Sequence, residues 1–135
     1  MSKALERGAV AVEFALLAPI LIMLLLGIME FGRAYNVQIS LTNAAREGVR
    51  VMAIDSSNPT AALTATKNAA DTLSPKLVNS NITIAFQTIP QTTPAPTSCA
   101  PGSQVTVTVK YSLSTMTGIA GPFAMTGKGT MLCGG

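Results

Sequence analysis

The sequence lacks histidine entirely and contains only two cysteines and few charged residues. Without histidine, the Ser-His-Asp and Cys-His nucleophile systems and histidine-ligated metal sites are excluded. Charged residues make up 11% of the 135 residues, against the roughly 25% that soluble domains usually carry. The formal net charge of +3 is too small and too scattered to indicate nucleic-acid binding. The composition therefore predicts a protein that is not an enzyme, needs no cofactor and has no nucleic-acid partner.

An apolar run near the beginning of the chain is what the sequence has in excess. Residues 14–29 carry no charge, and the run extends back to residue 9 with Glu13 as its one charged residue. Residues 9–29 would form roughly 31 Å of helix, about the thickness of a bilayer core. A cleaved secretory signal is the rival interpretation, but such a signal normally has about 7–15 apolar residues and ends in small residues. This run is longer and ends at Glu30, so we predict a retained transmembrane helix over residues 9–29.

Helical periodicity continues beyond the apolar run. Apolar and small residues recur there at steps of three and four, at Val37, Leu41, Ala44, Ala45, Gly48 and Met52. Because no proline lies between Pro19 and Pro59, we predict one helix from about residue 9 to about residue 54, with residues 30–54 outside the membrane. Pro59 then begins a second, short helix to about residue 73. We expect its buried face to comprise Ala62, Leu63, Thr66, Ala69, Ala70 and Leu73.

The period changes from helical to alternating beyond residue 75. Apolar residues alternate with polar ones over residues 82–87, over residues 105–111 and, more weakly, over residues 123–133. Residues 88–102 form a proline-rich loop between the first two of these strands. In the third strand we expect Phe123, Met125, Met131 and Cys133 to face inward. The chain is therefore predicted to be α+β, with residues 55–135 forming a small domain around an antiparallel sheet.

A processing signal lies at the front of the apolar run. Gly8 ends a short basic leader, MSKALERG, and Glu13 stands at the fifth position after it. This arrangement resembles the sites cut by type IV prepilin peptidases, with cleavage between Gly8 and Ala9. A carboxylate in lipid costs about 2.5–3.5 kcal/mol, so it needs a partner, and cleavage would supply the α-amine of Ala9. The alternative is that Glu13 reaches back to the headgroups, but Gly8 at this spacing favours processing.

Residues 11–48 resemble the TadE-like family, pilin-like components of the bacterial tight-adherence (Tad) pilus apparatus. The matching residues are Ala11-Val12-Glu13-Phe14-Ala15-Leu16-Leu17, Pro19, Gly27, Glu30-Phe31-Gly32-Arg33-Ala34 and Leu41-Thr42-Asn43-Ala44-Ala45-Arg46-Glu47-Gly48. The resemblance implies a pilin-like fold and a minor pilin or pseudopilin, cut by a prepilin peptidase after a leader of residues 1–8. It further implies a single pass through the cytoplasmic membrane with the N-terminus inside, the C-terminal domain outside, and other pilin-like subunits as partners.

Residues 37–52 admit two interpretations. The small residues Ala44 and Gly48 would let neighbouring helices approach closely, so we assign them, with Glu13, to contacts between subunits. The same face could instead dock the subunit's own sheet, which Leu41 and Met52 favour. Two i,i+3 charge pairs, Glu30 with Arg33 and Glu47 with Arg50, could add register between subunits.

The two cysteines, Cys99 and Cys133, are predicted to form a disulfide. An even number of cysteines in an exported domain favours pairing, whereas two buried thiols are the alternative. The pairing would tie the proline-rich loop to the last strand. The sequence thus favours a processed pilus subunit, and the hypothesis from another class is an unprocessed, single-pass anchored domain that binds or senses a ligand.

Overall fold

The computed structural model describes residues 2–91, 94–118 and 121–134, with the backbone alone for residues 2–7. Its elements are α1 (Ser2–Ile54), α2 (Pro59–Ala69), a short 3-10 helix (Asn79–Asn81), β1 (Ile82–Thr88), β2 (Ser103–Leu113) and β3 (Phe123–Leu132). A long N-terminal helix, a short second helix and a small antiparallel sheet confirm the predicted α+β class. The core lies between the second half of α1, α2 and one face of the sheet.

The helix α1 begins earlier than the sequence predicts. It ends at Ile54 as expected, but it starts at Ser2 rather than at about residue 9. Residues 2–8 contain no proline, and one glycine in a helix costs only about 1 kcal/mol, so nothing there stops the helix. The helix also continues through Pro19. Its 53 residues span roughly 80 Å, far longer than the domain that packs on its second half.

The helix α2 is shorter than predicted. Asn58 caps it, because its side-chain oxygen accepts a hydrogen bond from the Ala61 amide at 3.0 Å. The helix ends at Ala69 rather than at about residue 73, since the amides of Ala70 and Leu73 bond three residues back and tighten the chain into turns. Ala69 is consequently exposed, whereas the rest of the predicted face is buried or half-buried.

The sheet has the strand order β1-β2-β3, and both pairings are antiparallel. The alternation of β2 is as predicted, with its valines and Tyr111 buried against the helices. The prediction for β3 was wrong at its ends, where Phe123 is 40% exposed and Met131 is 41% exposed. Both lie near the ends of the strand, whereas α1 covers its middle.

Two glycines in the middle of β3 allow the backbone of α1 to lie directly on the strand. A Cβ atom on Gly127 would overlap the carbonyl group of Leu41, and one on Gly129 would come within 2.8 Å of the carbonyl of Ala45. These neighbours are backbone atoms of a helix, so they cannot move aside as a flexible side chain could. Leu41 and Ala45 are fully buried as a result. The distance between α1 and the sheet is therefore set by the absence of two side chains.

Gly48 allows a similarly close approach between α1 and α2. A Cβ atom on Gly48 would overlap the hydroxyl oxygen of Thr66 and lie 3.4 Å from Val107. Thr66 is 1% exposed, and its hydroxyl donates a 2.8 Å hydrogen bond to the Ala62 carbonyl. Ala44 is also fully buried. This corrects the assignment of Ala44 and Gly48 to contacts between subunits, because both are enclosed by the subunit's own core.

We expect Gly48→Ala to destabilise the protein by about 1–3 kcal/mol, since the added methyl group overlaps a buried side chain. In a Thr66→Ala background the overlapping hydroxyl is gone, and the same change should cost little, because alanine favours a helix by about 1 kcal/mol over glycine. Denaturant melts of the full chain in detergent would measure both effects. Equal destabilisation in the two backgrounds would show that Thr66 is not the limiting contact.

Candidate functional site

The first half of α1 contributes no buried residue to the core of the described chain. From Gly8 to Asn36 no residue is buried, and apolar side chains such as Phe14 and Leu16 are about two-thirds exposed. An apolar surface of this size on one helix indicates a membrane or a protein partner. Among the described residues, α1 is the one helix long and apolar enough to span a membrane. The helix therefore has an outward-facing half and a half that belongs to the domain core.

The predicted processing residues lie in this exposed half. Gly8 has open space around it, since a Cβ atom there would meet nothing within 4 Å. The fold of the described residues thus gives no packing reason for glycine at this position, unlike Gly48. Glu13 is exposed on the same stretch of helix, and among the side chains described from residue 8 onward no basic one forms an ion pair with it. It is the one charge on an apolar surface.

The predicted site residues are not brought together in space. Gly8 and Gly48 lie on one continuous helix, 40 residues and so roughly 60 Å apart along its axis. Gly8, Ala9 and Glu13 are exposed, whereas Ala44 and Gly48 are in the core. The candidate site is therefore confined to the first part of α1 and its junction with the domain.

Three polar side chains of α1 fasten the helix to the β2–β3 hairpin. A carboxylate oxygen of Glu30 accepts a 2.8 Å hydrogen bond from the Met116 amide. The Arg33 guanidinium donates to the Ser114 carbonyl at 2.9 Å, and the Gln38 amide donates to a β3 carbonyl, also at 2.9 Å. The first of these three residues, Glu30, directly follows the uncharged residues 14–29. The junction between the exposed half of α1 and the domain is thus held by hydrogen bonds from side chains to backbone atoms.

The predicted pairing of Glu30 with Arg33 was therefore wrong, because each residue bonds to the hairpin instead. Their partners lie more than 80 residues away in the sequence, so no local spacing rule could identify them. The second predicted pair is present, with 3.5 Å between Arg50 and Glu47. Both of its side chains are exposed, and such a pair contributes only about 0.2–0.5 kcal/mol.

Two cavities flank α1 at this junction. The larger, about 680 Å³, lies between the helix and the hairpin, and its lining is mostly apolar. The smaller, about 230 Å³, includes Arg33 and Tyr111. Burial raises the pKa of the Tyr111 hydroxyl above its usual value, and the positive charge of Arg33 acts in the opposite direction. That hydroxyl donates to the Pro75 carbonyl at 3.0 Å.

A metal site is not found among the described residues, because no group of three histidine, cysteine or acidic side chains there is arranged to hold a metal ion.

Cys99 and Cys133 are joined as a disulfide at the end of the sheet opposite to this junction. Their Cα atoms are 5.3 Å apart, within the usual range for a disulfide. Cys133 follows β3 and is 5% exposed, and its amide donates a 2.9 Å hydrogen bond to the Ser103 carbonyl. The bridge connects the proline-rich loop to the edge of the sheet, as the sequence predicts.

The geometry defines a class of protein in which a single candidate membrane helix continues into a small, disulfide-linked α+β domain. Comparison with known families agrees with this class. The family model described as TadE-like protein matches residues 8–50, which confirms the resemblance seen in the sequence over that part of the chain. The match covers the exposed half of α1 and most of the half that packs on the domain, and the chain is accordingly similar to proteins associated with the Tad pilus. No curated protein and no solved structure matches it.

We expect both thiols to resist alkylation in protein taken from intact cells until a reductant is added. Replacing the pair, with Cys99→Ser and Cys133→Ser together, should lower the free energy of unfolding by about 2–4 kcal/mol, because the cross-link no longer restricts the unfolded chain. Thermal melts of the oxidised, reduced and serine forms would show the loss. Labelling of both cysteines without reductant would contradict the pairing.

Proposed function

We propose that this chain is a pilin-like subunit, a minor pilin or pseudopilin, of a bacterial tight-adherence pilus. Residues 9–29 lie in the cytoplasmic membrane in this proposal, the N-terminus is inside, and the α+β domain is outside the cytoplasm. The observation that carries the proposal is the exposed, apolar half of α1, which is continuous with a folded domain and has no buried residue in the described chain. Such a helix can pass from lipid into a bundle of like helices without refolding.

The family match supports this proposal through the residues it covers. It begins at Gly8 and runs through the exposed half of α1 to Arg50, within the buried half. It therefore includes the motif from Glu30 to Arg33, whose two charged side chains hold the β2–β3 hairpin. The matched part is the helix and its junction, which are the features that a subunit of a helical fibre would need.

Processing between Gly8 and Ala9, by a prepilin peptidase, follows from the requirements of Glu13. In a helix, residue 13 lies one turn from residue 9 on the same face, so the new amine of Ala9 would be within reach of the Glu13 carboxylate. Either charge alone would be costly when subunits pack in lipid, whereas the pair neutralises itself. The open space around Gly8 agrees with this role, since no contact among the described residues requires glycine there.

The location of the domain outside the cytoplasm is supported by the cysteine pair. Disulfides persist in oxidising compartments and are rare in the cytoplasm, where thiols are kept reduced. The Cys99–Cys133 bridge lies at the far end of the domain from the apolar run, so the whole domain would be on the oxidising side. The proposed partners are other pilin-like subunits, the prepilin peptidase and membrane lipid.

The experiment that tests processing is Gly8→Leu. A bulky side chain should prevent entry into a peptidase site built for glycine, so the leader of residues 1–8 stays attached and the chain migrates as the longer form. Gly27→Leu is the matched control, because a Cβ atom on Gly27 would also meet nothing within 4 Å, yet this residue lies far from the cut. We expect normal processing of the control. Equal processing of both variants would contradict the proposed cleavage site.

We further expect Glu13→Val to permit membrane insertion while impairing association with pilin partners. Removing the carboxylate favours insertion by up to about 2.5–3.5 kcal/mol, but it leaves the Ala9 amine unpaired when subunits pack. Membrane fractionation and cross-linking to partner subunits would measure the two effects separately. Glu13→Asp keeps the charge and should retain more association than the valine variant. Normal pilus formation by Glu13→Val would overturn this role of Glu13.

A further inference from the structure

We propose that the end of the β2–β3 hairpin is a second membrane contact, in which Met116 and Phe123 enter the outer surface of the bilayer. The larger cavity, which forms an open groove between this end and α1, would then take up a lipid acyl chain. The inference rests on the proposed membrane-spanning role of α1. It adds that the domain itself touches lipid instead of standing clear of the membrane.

The depth of the hairpin follows from one hydrogen bond. The Met116 amide donates to the Glu30 carboxylate, so the backbone of Met116 lies at the level of the first charged residue after the apolar run. Met116 is 63% exposed. Met116, in the segment between β2 and β3, is therefore held at the height where the helix would leave the hydrocarbon.

The larger cavity, between α1 and the hairpin, is lined in part by side chains of the apolar run. Thr117 and Phe123 line it together with Met23 and Leu26, which precede Glu30 by seven and four residues. At 1.5 Å per residue, these positions are roughly 6–10 Å farther into the apolar run. The hairpin thus borders the same cavity as side chains of the apolar run.

The chemistry of this end of the hairpin suits lipid. Phe123 is 40% exposed at the beginning of β3, outside the part of the strand that α1 covers. The sequence from residue 111 to residue 127 contains no charged residue, so the hairpin brings no ionised group of its own to the interface. Aromatic and apolar side chains at this depth are typical of proteins that rest on a membrane surface.

The continuity of the groove with the exposed face of the helix identifies its occupant. Met23 is 65% exposed and Leu26 is 40% exposed, and both belong to the stretch that would be covered by lipid in a membrane. The lipid that covers these side chains therefore has direct access to the groove. A helix of a neighbouring subunit is the competing occupant, and the experiment separates the two.

The test uses the full chain in phosphatidylcholine vesicles, with its disulfide intact and one fluorescent label at a time. Labels are placed through Met116→Cys, Leu24→Cys and Ile89→Cys, and the vesicles carry lipids with a nitroxide quencher at a shallow or a deep position of the acyl chain. Ile89 is the matched control, since it is an exposed apolar residue whose amide bonds to Gly102 before β2 begins. The 11 residues of β2 place it roughly 35 Å from the hairpin end.

We expect the shallow quencher to reduce emission from position 116, the deep quencher to reduce emission from position 24, and neither to affect position 89. Quenching at 24 without quenching at 116 would overturn the inference and leave the membrane anchor intact. Loss of quenching at 116 as protein is concentrated in the vesicles would mean that a neighbouring chain fills the groove, and it would also overturn the inference. Absence of quenching at 24 would overturn the anchor and the hairpin contact together.

Discussion

The contact between the backbone of α1 and the two glycines of β3 is the constraint on which the rest of the structure depends. Because Gly127 and Gly129 meet the carbonyls of Leu41 and Ala45 without an intervening side chain, the sheet fits the helix at one position along its axis. The helix does not break, so fixing the domain on its second half also fixes the direction and height of its first half. The position of the candidate membrane helix relative to the domain is therefore decided inside the domain core.

The two halves of α1 meet different surroundings, and the residues between them mark the change. On one side of Glu30 the helix presents exposed apolar side chains, and on the other it forms the wall of a compact core. Glu30 and Arg33 stand at the boundary and bond to the backbone of the hairpin. A folded domain attached in this way leaves the apolar half of the helix free for lipid or for other helices, which is the arrangement that a pilin-like subunit requires.

The features with a local cause could be predicted from the sequence, and those with a long-range cause could not. The continuity of α1 and the alternation in residues 105–111 follow from repeats within a few residues, and they agree with the structure. Glycine is neither clearly apolar nor polar, so the sequence does not predict that Gly127 and Gly129 contact α1. Their role becomes apparent only when α1 is placed on β3. The small residues of α1 were ambiguous for the same reason, because closeness to another helix and closeness to the subunit's own core both favour a missing side chain. For Gly48 the choice between these two explanations depended on the position of α2, whose Thr66 packs against it.

The mass and the N-terminal residue of the protein as it accumulates in its native membrane test the central claim most directly. If the chain is a processed pilin-like subunit, residues 1–8 are absent and the mature protein begins at Ala9, with the new amine one helical turn from Glu13. A protein that retains Met1 and the whole leader in that membrane would contradict this account. It would favour an unprocessed, single-pass anchor for a binding or sensing domain.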